Sequence, residues 1–281
     1  MRPAAGLGSW VWQAFRLGLV AYLLIVLGAM LLENRLIFFP CPYPIGEWRP
    51  PVKNVEDAWF QAADGTELHG WYVNNPDAVA TILFCHGNAG NITHRAHVLE
   101  ALTHRVGASV LIFDYRGYGR SEGRPSEQGV LADARAAHDW LAQRENLSPD
   151  EIVLMGESIG GAIATILAGQ QGARALVLES SFNNLPDVAA YHFPWLPVRW
   201  LIRSRFDAAA AIRNFHGPLM QVHGDADTIV PLKFGRRLFD AANEPKRFLL
   251  LPGHDHNDLM PLEYYQALAD FLRSLGNASA Q

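Results

Sequence analysis

A serine lies between two glycines in the segment "GESIG" at residues 156–160, which fits the pattern Gly-x-Ser-x-Gly. A serine hydroxyl is a poor nucleophile without a base, so the pentapeptide alone also fits simple glycine-rich packing. The apolar run "EIVLM" precedes it, and the small-residue run "IGGAIATILAG" follows it. A serine in a tight turn between a strand and a helix is the arrangement of a nucleophile elbow. Ser158 is therefore the candidate nucleophile for acyl transfer.

Two downstream segments offer the acid and the base that such a serine requires. The segment "QVHGDADTIVP" contains Asp225 and Asp227, and "LLLPGHDHNDL" contains His254 and His256. Each pair follows an apolar run that predicts a strand, so both pairs should project from the same sheet edge as Ser158. The order Ser, Asp, His is the one found in α/β-hydrolases. The residues alone leave open which aspartate and which histidine act, and the His/Asp/Asn cluster also suits a metal ion.

The elements that must position these side chains are short apolar runs that alternate with helix-like segments. A turn at Asp64-Gly65 between alternating stretches predicts a hairpin. Continuous apolar runs are typical of strands that are covered on both faces. Their alternation with helical patterns predicts a doubly wound, mostly parallel α/β sheet, in which ligands lie outside the carboxyl ends of the strands. The predicted strands lie in "ATILFCHG", "ASVLIFDYRG", "EIVLMGES", "ARALVLESS", "PLMQVHGDAD" and "KRFLLLPG".

An uncharged apolar run near the amino terminus, Leu17–Leu32, predicts a membrane anchor. Extended back to Trp10, it is long enough to cross a bilayer as a helix. A removable signal peptide is the main alternative, although no Ala-x-Ala-like site follows, and a buried helix is a further one. Arg2 and Arg16 precede the run, whereas one acidic and one basic residue follow it. The positive-inside tendency therefore predicts a single-pass protein whose catalytic domain faces the extracytoplasmic side, periplasmic or lumenal.

The composition limits the classes of function. The chain has 281 residues, with 23 Lys+Arg against 28 Asp+Glu and a formal net charge of -5. No run of basic residues is present, which argues against a nucleic-acid partner. Its length suits one large core, or a core with a small appendage. The expected organisation is an anchor (1–35), a connector (36–55), a catalytic domain (56–276) with a short lid at about 183–215, and a tail (277–281).

Six segments together resemble a known family: "ENRLIFFP", "HGNAGN", "DYRGYGRSEG", "GESIGG", "HGDADTIVP" and "HNDL". They cover the chain from about Glu33 to Leu259. The chain resembles the serine hydrolases of the α/β-hydrolase superfamily and is similar to the Bem46-like and ABHD12/13/17-like branch. The resemblance implies the α/β-hydrolase fold, with Asp227 as the acid and His256 as the base.

The same resemblance assigns an oxyanion hole, the pair of donors that holds the negative oxygen of a tetrahedral intermediate. One donor is the backbone N–H of Ile159, which follows the nucleophile, and the other is the backbone N–H of Asn88 in "HGNAGN". We expect His86 to brace this loop. Asp114 and Arg116 should have no catalytic role and should shape the pocket floor.

In this fold, the segment between "LESSF" and "PLMQVHG" covers the site, and here it is short and rich in large apolar side chains. They either pack the lid onto the sheet, or line an acyl pocket and touch the bilayer. The sequence thus predicts a membrane-anchored serine hydrolase of carboxylic esters or thioesters, with a small-molecule or lipid acyl substrate and no metal or organic cofactor. A serine peptidase and a noncatalytic membrane adaptor are the alternatives.

Overall fold

Eight strands form one sheet in the computed structural model, which describes residues 7–278. Residues 1–6 of the predicted anchor, including Arg2, and residues 279–281 of the predicted tail lie outside the described residues. The predicted hairpin and the six predicted strands are confirmed. The strands are β1 (Glu56–Gln61), β2 (Glu67–Val73), β3 (Thr81–Cys85), β4 (Ser109–Phe113), β5 (Val153–Glu157), β6 (Ala175–Glu179), β7 (Leu219–Gly224) and β8 (Lys246–Leu251).

The strands lie in the order β8-β7-β6-β5-β3-β4-β2-β1. Strands β3 to β8 are mutually parallel, and the β1–β2 hairpin adds the antiparallel edge. The chain passes from β3 to β4 on one side and then returns to place β5 on the other side of β3. Strand order therefore reverses between β3 and β5, and such a reversal opens a crevice beyond the carboxyl ends of the two strands. Ser158 directly follows β5, and the "HGNAGN" loop directly follows β3.

Helices cover both faces of the sheet, as the continuous apolar strands predict. Side chains of β3 alternate between the two cores, with Leu83 packed against α4 and α5 and Phe84 against α3 and α10. The helices are α1 (Leu7–Leu31), α2 (Glu33–Ile37), α3 (Ala96–Ala101), α4 (Glu127–Glu145), α5 (Ile159–Gln171), α6 (Leu185–His192), α7 (Val198–Leu201), α8 (Ala208–Ala211), α9 (Leu232–Ala241) and α10 (Leu262–Ala278). Short turns of other helix types span Ile92–Arg95, Leu102–Val106, Pro149–Glu151 and Ile212–Asn214.

The first helix extends backwards beyond Leu17 to Leu7, so the predicted extension back to Trp10 is present. Among the described residues, its segment Trp10–Leu31 has the length and the mean hydropathy, 2.2, of a helix that can cross a membrane. None of its most apolar stretch is buried in the protein, so the buried-helix alternative does not fit. A short carboxyl-terminal stripe of α1 nevertheless faces the lid.

The predicted lid segment contains α6, α7 and α8 with their connecting loops, and we keep the name lid for it. Its aromatic side chains do not all pack onto the sheet: Trp195 is 56% exposed and Trp200 is 87% exposed. Large exposed apolar side chains close to an apolar helix are typical of a surface that meets another apolar phase. Of the two alternatives for the lid side chains, packing onto the sheet does not describe these two tryptophans.

Candidate active site

Ser158 occupies the sharp turn between β5 and α5. Its φ of 55° and ψ of -119° lie where a residue with a side chain is strained, and such strain is common at functional sites. Neighbouring glycines make the turn possible, because a Cβ at Gly160 would lie 2.0 Å from the carbonyl oxygen of Cys85. A Cβ at Gly156 would lie 2.2 Å from the carbonyl oxygen of Gly160. The Gly-x-Ser-x-Gly pattern thus reflects backbone contact on both sides of the serine.

Asp227 and His256 are in direct contact. The Nδ1 atom of His256 lies 2.7 Å from Oδ2 of Asp227, whose Oδ1 accepts hydrogen bonds from the backbone N–H groups of Ile229 (3.0 Å) and Val230 (2.7 Å). Burial alone would raise the pKa of the Asp227 carboxyl, but hydrogen bonds from His223 and His256 outweigh it and lower the pKa to about 2. The carboxylate is therefore ionised at neutral pH, and it fixes the orientation of the imidazole through Nδ1.

The two residues that competed for these roles are placed elsewhere. Asp225 accepts a hydrogen bond from the backbone N–H of Gly253 at 2.6 Å, which makes it a loop residue. His254 contributes its backbone carbonyl to Ala226 at 3.2 Å, and its ring contacts the carbonyl of Pro252 at 3.3 Å. Neither side chain is in the Asp227–His256 pair.

Asn88 and Ile159, whose backbone N–H groups are the predicted oxyanion donors, line the same cavity as Ser158. Ile159 is the first residue of α5, where an N–H has no acceptor within the helix, and the helix dipole adds partial positive charge. Within residues 7–278, neither N–H donates to a backbone carbonyl outside the regular elements. Two such donors beside a serine are suited to an oxyanion.

Side chains of the "HGNAGN" loop have a role that the sequence analysis missed. The Asn88 amide donates to the carbonyl of Ile37 at 2.8 Å, and the Asn91 amide donates to the carbonyls of Cys41 and Ile45. The connector after α2 is thereby fastened to the loop, where Phe39–Pro40 also pairs with Ala89–Gly90. The sequence offered one signal for this role: the motif contains two asparagines, whose amides can bind the backbone carbonyls of the Pro-rich connector.

The turn "DYRGYGRSEG" supports this loop from behind, and it does not line the cavity, so the predicted role in shaping the pocket floor is wrong. Tyr118 donates its hydroxyl to the carbonyl of Asn88 at 2.6 Å. Arg116 forms an ion pair with Asp133 at 2.7 Å. His86 is buried, with Nδ1 2.6 Å from the carbonyl of Gly87, and burial lowers the pKa of His86 to about 3. A neutral, buried imidazole is suited to bracing the loop.

Three ionisable groups lie behind the elbow. Glu157 and Glu179 are opposite each other in the β5–β6 register. The Arg95 guanidinium donates to both carboxylate oxygens of Glu157, at 2.8 and 2.9 Å. Burial opposes the charge on Glu157, but Arg95 outweighs it and holds the pKa of Glu157 below its usual range. Glu179 is fully buried, and burial raises its pKa to about 8. Its backbone carbonyl accepts the N–H of Ser158 at 2.8 Å, which ties the elbow to β6.

An apolar cavity of about 600 Å³ opens onto Ser158, Asn88 and Ile159. The volume is within the range of small-molecule sites. Lid residues form one wall, and the carboxyl-terminal half of α1 forms another. The α1 wall was not anticipated from the sequence.

Known proteins resemble the chain along most of its length. A family model described as the alpha/beta hydrolase fold matches residues 80–207. A Mycobacterium tuberculosis protein of uncharacterised function is 43% identical over 228 residues, covering 80% of this chain and 81% of that protein. Protein bem46 of Schizosaccharomyces pombe is 30% identical over 277 residues, covering 90% of each chain. The chain belongs to the α/β-hydrolase family. Within this family it groups with the Bem46-like proteins.

Solved structures of other α/β-hydrolases share the fold. An esterase from Pyrococcus furiosus superimposes with a TM-score of 0.69 at 20% identity, covering 85% of this chain and 98% of the esterase. An acetyl xylan esterase from Paenibacillus gives a TM-score of 0.65 at 20% identity, covering 81% and 86%. At this identity the likeness establishes the architecture of this α/β-hydrolase.

Proposed function

We propose that this α/β-hydrolase is a membrane-anchored serine hydrolase of carboxylic esters or thioesters. One observation carries the proposal: the Asp227–His256 contact of 2.7 Å lies at the same edge of the sheet as the strained Ser158, which immediately precedes α5. An ionised carboxylate bound to Nδ1 holds the imidazole so that Nε2 is the nitrogen able to accept a proton. The esterase fold of the structural neighbours supports ester chemistry.

The reaction that we propose proceeds through an acyl-enzyme. His256 takes the proton of Ser158 as its oxygen attacks the acyl carbonyl carbon, and Asp227 stabilises the imidazolium. The N–H groups of Asn88 and Ile159 donate to the oxyanion of the tetrahedral intermediate. His256 then protonates the leaving alkoxide or thiolate. Water repeats the sequence on the acyl-enzyme, with His256 as the base, and releases the carboxylic acid.

The membrane attachment is part of the same proposal. The α1 helix supplies a span of suitable length and hydropathy, and the positive-inside tendency favours a catalytic domain on the extracytoplasmic side. We also propose the division into an anchor at 1–35, a connector at 36–55 and a catalytic domain at 56–276. Helix α10 continues two residues past that last boundary.

Labelling of the membrane fraction with a fluorophosphonate probe tests the proposal, because the probe reacts with activated serines. Wild-type protein should be labelled, and Ser158→Ala and His256→Ala should abolish labelling and ester hydrolysis. His254→Ala is the matched control and should be labelled like the wild type. Hydrolysis retained by a folded Ser158→Ala protein would contradict the assignment. Absence of labelling in folded wild-type protein would favour a noncatalytic adaptor.

A further inference from the structure

The apolar cavity at Ser158 is bounded by α1. Ile25, Val26, Ala29 and Met30 line it, opposite lid residues such as Val188 and Leu196. These α1 positions lie within Trp10–Leu31, the part of the helix that is suited to a bilayer. The cavity at Ser158 is therefore lined in part by the segment of α1 that lipid acyl chains would surround in a bilayer.

One face of α1 is turned towards the protein. Tyr22, Val26 and Ala29 follow a 4-3 spacing, which places them on one side of α1, and Glu33, the first residue of α2, continues this line; each of the four is at least partly buried. The opposite side is open, since Leu24 is 62% exposed. The small side chain of Ala29 leaves room in the middle of this face. The cavity wall is therefore a specific stripe of α1.

Polar contacts at both ends of this stripe hold α1 to the lid. The Tyr22 hydroxyl donates to the carbonyl of Trp195 at 3.2 Å. The buried Glu33 carboxylate accepts hydrogen bonds from the backbone N–H groups of Arg203 at 3.1 Å and Ser204 at 2.8 Å. A buried carboxylate is costly unless it is paired, so these contacts favour one fixed position of the helix.

We propose that α1 forms a wall of the acyl-binding pocket, and that the substrate is a bilayer-resident ester whose long acyl chain passes between α1 and the lid to Ser158. This inference rests on the proposed hydrolase function. Among the described residues that line the cavity, Glu33 is the one carboxylate and His192 the one basic side chain; the lid N–H groups bind the Glu33 oxygens and the His192 ring contacts the carbonyl of Ile229, so the lining is matched to an acyl chain. The exposed Trp195 and Trp200 suit the interface next to such an opening.

A tryptophan at position 29 tests the proposal by filling the pocket from the α1 side. Full-length wild type, Ala29→Trp and Leu24→Trp are compared in phosphatidylcholine vesicles on p-nitrophenyl palmitate and p-nitrophenyl butyrate. We expect the ratio of kcat/KM for palmitate to that for butyrate to fall about tenfold or more in Ala29→Trp. Leu24→Trp places the same ring on the opposite face, and its ratio should stay within about twofold of the wild type. Ala29→Leu, a smaller filling, should give an intermediate fall.

Fluorophosphonate labelling of Ser158 distinguishes a failure of the proposed hydrolase function from a failure of the proposed α1 wall. If the wild type is labelled and the ratio is unchanged in both Ala29→Trp and Ala29→Leu, α1 is not a wall of the acyl pocket. An equal fall in Leu24→Trp would likewise overturn the proposal, because that residue faces away from the cavity. If the wild type carries no activated serine, the hydrolase assignment itself fails.

Discussion

Replacing Gly160 by alanine should impair catalysis without touching any residue that reacts. A Cβ at this position would lie 2.0 Å from the carbonyl oxygen of Cys85 and 2.5 Å from that of His86. Ordinary contact begins at 3.4 Å, so the start of α5 or the end of β3 must move by more than about 1 Å. Both contacting atoms belong to the backbone, which leaves no flexible side chain to absorb the change.

This movement separates groups that the proposed mechanism requires together. Ser158 and the N–H of Ile159 lie at the start of α5, whereas Asn88 follows β3 by three residues. A displacement of about 1 Å in reacting geometry typically costs on the order of 10²-fold in rate. Overpacking at such a contact typically costs about 1–3 kcal/mol of the free energy of unfolding. We therefore expect a folded protein with a lower Tm and a kcat/KM that is reduced about 100-fold.

The matched control is Gly276→Ala, the same substitution in helix α10. Its nearest neighbour would be the Arg174 guanidinium at 4.0 Å, so the new methyl group fits. Alanine stabilises a helix by about 0.5–1 kcal/mol relative to glycine, and activity should be unchanged. The assays are thermal unfolding, the rate of fluorophosphonate labelling and hydrolysis of p-nitrophenyl butyrate. If Gly160→Ala is labelled at the wild-type rate, close packing at the elbow does not position the serine.

Two further outcomes follow from the electrostatics of the site. Asp227→Asn should lower kcat about 10³–10⁴-fold, because the amide can hold the wrong histidine tautomer. The nearby control Asp225→Asn should keep a kcat near that of the wild type. Equal losses of steady-state ester hydrolysis in the two variants would contradict the assignment of the acid. Glu179 has a pKa raised from 4.5 to about 8 by burial, so between these values the folded protein holds a proton that the unfolded chain has lost. Stability should therefore fall as the pH rises through this window, and Glu179→Gln should reduce that fall in urea unfolding measured at about pH 5 and about pH 8. An unchanged pH slope in the variant would place the titration elsewhere.

The centre of the sheet could be predicted because β3 to β7 are continuous apolar runs that are covered on both faces. The candidate residues Ser158, Asp227 and His256 follow β5, β7 and β8, whose carboxyl ends lie at the same edge of the sheet. Choosing between Asp225 and Asp227 required the family pattern, since both follow the same strand. Their difference is local: the Asp227 carboxylate accepts two backbone N–H groups and an imidazole, and no spacing rule encodes those contacts.

The contacts of α1 could not be predicted, because a helix that is apolar all round carries no pattern that selects one face. Length and hydropathy predict a span, and they are silent on which side packs against a lid 170 residues away. The signals that do mark the face are one small residue, Ala29, and one carboxylate, Glu33, at the end of the span. In the sequence alone, an alanine within an apolar helix and a glutamate just after it are not unusual. Their role is visible only in the structure, where the Glu33 carboxylate accepts the N–H groups of the lid.

The anchor and the proposed oxyanion hole meet at one residue. Asn88 donates its amide to the carbonyl of Ile37, the last residue of α2, and its own carbonyl accepts the N–H of Phe39 at 2.9 Å. Its remaining backbone group, the N–H, is the donor that we assign to the oxyanion. Helix α2 joins α1 to this residue, and the Glu33 carboxylate joins the same segment to the lid. The helix that we propose as the membrane anchor is thus connected to the proposed site, and we expect catalysis to depend on its position as well as on its presence.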